Sequence, residues 1–128
     1  MAQSLSDTIQ TKKYDLEERT TKLAEAIIDF VKLVNKDVVN SRIIGQVVAS
    51  GGSIGANYCE ATEAESKKDF IHKIGICKKE TKETMHWLRL LVRANPEAED
   101  KIRDLWQEAH ELLLIFAKIN LSSKNGKI

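Results

Sequence analysis

The chain has 128 residues, a formal net charge of +1, 42% hydrophobic and 30% charged residues, a composition that fits one helix-rich soluble domain and argues against disorder or a second core. No apolar run reaches the ~18 residues that span a bilayer, and the opening MAQSLSDTIQTKKYD lacks the apolar segment of a signal peptide, so a cytoplasmic protein with no membrane partner is expected. A near-neutral total gives no global electrostatic argument for nucleic acid, so any such argument rests on how the charges are distributed.

Residues 1–13 are expected to be flexible. Over about 15–35, Leu16, Thr20, Leu23, Ile27, Phe30 and Val34 recur at spacings of four and three and mark one face of a helix. Asn35, Lys36 and Asp37, followed by Asn40 and Ser41, break that pattern and offer a new N-cap, predicting a second helix over about 41–63. Its seam is Ile44, Val47, Gly51, Ile54, Tyr58 and Ala61. A second stripe, Gly45, Ala49, Gly52, Ala56 and Cys59, is built almost wholly of small residues that let a neighbouring backbone come close. Each glycine inside a helix costs ~1 kcal/mol relative to alanine, so the glycines at 45, 51, 52 and 55 predict compensating tight packing. The pair Gly51-Gly52 also fits a loop or kink across 50–53.

Ser66 with Asp69 three residues later resembles a capping box and opens a third helix over about 66–93. Its seam, Phe70, Ile74, Cys77, Thr81, Thr84, Leu88 and Leu91, is small in the middle, matching the small face of the second helix. Asn95 is expected to cap a fourth helix over about 96–121, with Pro96 in its first position and Glu97, Glu99 and Asp100 complementing the helix dipole. Ile102, Leu105, Ala109, Leu112, Phe116 and Ile119 form its stripe, and 122–128 should be flexible. Four amphipathic helices on short connections, with no period-two alternation, predict an all-α single domain, an antiparallel up-down-up-down four-helix bundle.

The segments SGGSIGAN, EATEAES, DFIHKI and KETKETMHWLRLL, in that order and spacing, resemble the four helix bundle protein family. Its members are also called intervening-sequence proteins, because some are encoded inside insertions in large-subunit ribosomal RNA genes. The resemblance implies an up-and-down helical subunit that assembles with itself as a ring-shaped homopentamer and has no known enzymatic activity. A distantly similar group, the accessory variability proteins of diversity-generating retroelements, has a similar pentameric fold and interacts with nucleic acid and a reverse transcriptase, an analogy at the level of fold.

Residues 66–93 hold eight basic and three acidic side chains, a local excess of 8 − 3 = +5. Lys78, Lys82, His86, Arg89 and Arg93 share one side of the third helix and make a candidate phosphate-binding stripe for RNA or DNA. The alternatives are a solvated face, or pairing with the acidic fourth helix of the same or a neighbouring subunit. Ser50, Gly52, Ser53, Ala56, Asn57 and Glu60 on the second helix, with Lys79, Glu80 and Glu83 on the third, form a candidate packing and polar network. Trp87, Leu90 and Trp106 lie off the main seams and are candidates for a subunit interface.

No catalytic set emerges. Glu83 and His86 give one Glu-x-x-His, whereas a di-iron bundle needs two; His110 follows Gln107, and His72 follows Asp69 without a partner helix. Cys59 and Cys77 form no CxxC pair and read as small hydrophobes. A non-enzymatic oligomeric scaffold or binding module, without cofactor or metal, is expected; a purely structural or protein-binding module is the alternative, and a metal-dependent bundle enzyme the remote one.

Overall fold

A computed structural model of the chain describes residues 15–126. Among them are four α-helices, α1 Leu16–Val31, α2 Val38–Thr62, α3 Lys67–Ala94 and α4 Glu99–Lys124, with a 3-10 turn at Pro96–Ala98 and no strand. The expectations for residues 1–13, and for 127 and 128, lie outside the described residues. α1 and α3 each pack against both α2 and α4. The core between them is apolar, with Leu16, Ile27, Ile54, Ile74, Leu88, Leu112 and Phe116 almost wholly enclosed. Each such side chain contributes about 1.5–3 kcal/mol by leaving water.

Three side-chain pairs cross from α2 to α3 and its C-terminal cap. Ser50 accepts a buried hydrogen bond from Thr84 Oγ1 at 2.9 Å, and Glu60 holds Lys73 Nζ at 2.5 Å. At the far end Asn40 and Asn95 exchange amides: Asn40 Nδ2 donates to Asn95 Oδ1 at 3.1 Å and Asn95 Nδ2 donates back to Asn40 Oδ1 at 2.8 Å. The second hydrogens are used as well, since Asn40 Nδ2 reaches the Asn35 carbonyl and Asn95 Nδ2 the Leu91 carbonyl.

Several boundaries differ from the sequence reading, each for a reason of capping. α1 stops at Val31 instead of 35, because residues 32–34 tighten into a turn and Lys36 Nζ donates to the Val31 and Val34 carbonyls, both at 2.8 Å. α2 begins at Val38 instead of Ser41, since the Asp37 carboxylate accepts from Asn40 N at 2.7 Å and so acts as N-cap. Ser66 does cap α3, accepting from Asp69 N at 3.0 Å. Asn95 caps no fourth helix, because its side chain is committed to Asn40 and to the Leu91 carbonyl of α3. At the other end α4 continues through 122–124, where Ser123 is buried and the preceding Asn120 donates to the Ile71 carbonyl at 3.0 Å.

The glycine pair lies within an uninterrupted helix, so the loop or kink across 50–53 does not occur. The close approach involves other glycines than those of the expected small face. Gly45, Ala49, Gly52, Ala56 and Cys59 are all exposed, so this stripe does not meet α3 as anticipated. Gly51 and Gly55 instead turn toward α1, where an added Cβ would lie 2.9 Å from Ile27 Cδ1 at Gly51 and 2.9 Å from Thr20 Oγ1 at Gly55. Thr20 cannot easily yield, being buried and donating through Oγ1 to the Leu16 carbonyl at 2.7 Å. Gly52 has no such neighbour within 4 Å. Gly52→Ala should therefore gain about 0.5–1 kcal/mol of helix stability, whereas Gly55→Ala has the same gain offset by about 1–3 kcal/mol of overpacking. In circular-dichroism melts Gly52→Ala is expected above the parent and Gly55→Ala below Gly52→Ala by a few degrees; the reverse order would contradict the close approach.

Candidate functional site

With about 100° between successive residues of a helix, positions 78, 82, 86, 89 and 93 fall within roughly 80° of arc and extend along about 22 Å of α3. Lys82, His86, Arg89 and Arg93 are exposed and Lys78 is half-buried. Among the described residues none of Lys78, Lys82, Arg89 and Arg93 makes an ion pair within 4.0 Å. Three carboxylates of α4 are engaged elsewhere. Glu108 and Glu111 of α4 hold Arg19 of α1, at 2.7 and 3.2 Å, and the attraction of those carboxylates raises the Arg19 pKa. Glu99 pairs with Arg103 one turn along α4.

The lower end of the stripe opens into a groove of about 640 Å³ between α3 and α4. Val92, over the buried Leu88 and Ile102, gives it an apolar floor, and Arg89 and Arg93, with the Glu99-paired Arg103, give it a cationic rim. Trp106 lines it, its indole stacked on the His110 ring at 5.1 Å between centroids and 16° between planes. Arg103 and the groove were missed in the sequence, although Arg103, Trp106 and His110 fall at i, i+3 and i+7, one side of a helix.

The interface candidates part company. Trp106 belongs to the groove, Leu90 is 38% exposed, and Trp87 is half-buried beside the start of α2, in a second hollow with Ser41, Arg42 and Gln46. The Trp87 indole meets His86 edge-on at 4.9 Å, and its Nε1 is buried with no hydrogen-bond partner among the described residues. Of the candidate network, Ser50 and Glu60 bond across to α3, to Thr84 and Lys73 respectively. Ser53 and Glu80 take part through backbone carbonyls on their own helices, accepting from Asn57 Nδ2 and Thr84 Oγ1. Gly52, Ala56 and Lys79 are exposed, and Glu83, half-buried, has no ion pair among the described residues. Thr84, expected only as part of the core seam, and Lys73 are the partners that sequence reasoning missed.

The chain matches the model of the 23S rRNA-intervening sequence protein over residues 12–118. It belongs to that family. A similar solved structure is a protein of unknown function from the S23 ribosomal protein family of Bacteroides thetaiotaomicron, 32% identical, covering 81% of this chain and 96% of its own, with a TM-score of 0.72. No curated protein matches the chain. Family membership agrees with an all-helical subunit and brings no established activity with it.

Among the described residues no three His, Cys, Asp or Glu side chains cluster as metal ligands, and no helix is long and apolar enough to cross a membrane. Cys77 is fully buried, its thiol 3.6 Å from the Ile54 carbonyl. Burial pushes that thiol up to about 12 from an ordinary 9.0, so the nucleophilic thiolate is suppressed. Because the folded state raises this pKa, the contribution to stability is intact below the ordinary thiol value and is lost as the pH climbs toward 12. In the folded protein at pH 8, Cys77 is expected to react with a thiol reagent roughly a thousandfold more slowly than after denaturation, in line with the thiolate present. Mass mapping of the modified cysteine checks this, and prompt native labelling of Cys77 would contradict the burial.

Proposed function

We propose that this family member is a non-enzymatic cytoplasmic scaffold: an antiparallel up-down-up-down bundle that assembles as a ring-shaped homopentamer and binds RNA or DNA through Lys78, Lys82, His86, Arg89 and Arg93. The antiparallel arrangement is supported by bonded pairs whose numbers move in opposite senses, 40 with 95, 50 with 84 and 60 with 73. Self-association is supported by the exposed small stripe of α2 and by Leu90, Leu114 and Leu121, apolar surface that a second copy would cover. The ring itself rests on the resemblance to ring-forming bundles.

The observation that carries the nucleic-acid reading is the open basic stripe, none of whose lysines and arginines makes an ion pair among the described residues. An uncompensated cationic row on a rigid helix recovers its electrostatic free energy by neutralising phosphates and releasing their counterions. The exposed small stripe favours a second reading, in which the chain is a protein-interaction or purely structural module and the cationic row meets neighbouring subunits.

Salt-titrated binding to duplex and structured RNA separates the two. Reversing Lys78, Lys82, Arg89 and Arg93 to Glu should flatten the plot of log affinity against log salt, on a duplex by about 0.9 for each phosphate no longer neutralised and by up to about 3.6 for all four. Unchanged binding after reversal, or no binding at low salt, would remove the nucleic-acid clause and leave the second reading. Native mass measurement at micromolar concentration is expected to give a pentamer that Leu90→Asp shifts toward smaller species, and a monodisperse single chain would overturn the ring.

A further inference from the structure

We infer that the groove between α3 and α4 receives an unpaired base, so that the nucleic acid held along α3 is single-stranded, looped or bulged and not a continuous duplex. This deepens the nucleic-acid reading of the basic stripe and rests on it. Arg89 and Arg93 belong to both features, as the last cations of the stripe and as part of the groove's rim. A strand whose phosphates follow the stripe is thus delivered to the groove.

The groove's composition decides what enters. Phosphate alone would satisfy Arg89 and Arg93, which have no ion pair among the described residues, but leave Val92 and the Trp106 indole facing a ligand with no apolar surface. A duplex presents its phosphates outward and keeps its base faces stacked inside, so it offers the indole nothing to stack on. An unpaired nucleotide carries both chemistries, a planar π-face for Trp106 and the floor, and an adjoining phosphate for the guanidiniums. The volume, about 640 Å³, lies within the range in which proteins enclose ligands of nucleotide size. His110 braces the indole from one side, so its plane is set before a ligand arrives and little ordering remains to be done on binding. Glu99 is the one acidic residue of the lining, and it is already matched by Arg103.

Full-length protein titrated with a labelled single strand of about a dozen nucleotides, a length typical of such binding sites, and with the same sequence as a blunt duplex tests the inference. The single strand is expected to bind at least about tenfold tighter, with Trp106→Leu losing about tenfold for the strand and nothing for the duplex, as for loss of one stacked base. Trp106→Phe should keep most of the strand affinity, and Arg103→Gln, at an exposed side chain, should weaken the strand alone and carries the test if Trp106→Leu does not fold. Equal affinities with no effect of either substitution would overturn the groove's role while leaving the stripe intact. Binding of neither nucleic acid would defeat both readings. Adenosine monophosphate competing as tightly as the strand, or polyglutamate displacing it equally well, would overturn the inference in favour of a free nucleotide or an acidic protein.

Discussion

The closeness of α1 to α2 is the constraint from which the rest of the arrangement follows. Gly51 and Gly55 have no side chain to hold the neighbouring helix away, so Ile27 and Thr20 come against the backbone of α2. The helix-propensity cost of two glycines, ~1 kcal/mol each, is offset by the burial of Leu16, Leu23 and Ile27 of α1 in the shared core. Seated there, α1 also lies beside α4, and Arg19 reaches Glu108 and Glu111. Those carboxylates are then unavailable to the lysines and arginines of α3.

Segregation of charge in this way explains how a chain with a formal net charge of +1 can present a strongly one-signed surface. The total is nearly neutral because the excess over 66–93 is balanced by the rest of the chain, which holds 20 − 8 = 12 basic and 19 − 3 = 16 acidic residues, and two of those carboxylates, Glu108 and Glu111, are held by Arg19 of α1. Electrostatics over a distance comparable to the Debye length, about 8 Å at physiological ionic strength, depends on the local arrangement and not on the sum. The α3 row therefore acts as a basic surface even though the whole protein does not.

Helix faces were legible in the sequence because burial imposes a period of three to four residues, and Leu16, Ile54, Ile74, Leu112 and Phe116 sit in the core where that period puts them. Helix ends were less legible, since several polar residues near each break compete to cap. Of the polar residues between 35 and 41 it is Asp37 that caps α2, starting it three residues before the expected 41, while Asn95, read as an N-cap, is drawn into a pairing with a residue 55 positions away. The orientation of the small residues was also ambiguous, because two glycine-containing stripes wind around the same helix and the sequence alone does not say which one meets a neighbour. Only Gly51 and Gly55 face α1. The cationic stripe belongs to a single helix and could be read from spacing, whereas the groove needs Arg89 and Arg93 from one helix and Arg103 and Trp106 from another. No local pattern encodes that meeting.

The reciprocal amides of Asn40 and Asn95 bear on how this lineage can change. Each amide offers an oxygen to the other and spends its hydrogens on the other and on a main-chain carbonyl, so neither can rotate by half a turn alone. Exchanging one asparagine for an apolar residue strands the other inside the protein at about 1–3 kcal/mol, while exchanging both together for a well-shaped apolar pair is close to neutral. Drift one residue at a time is therefore blocked by an intermediate less fit than either end. Descendants keep the pair or abandon it whole.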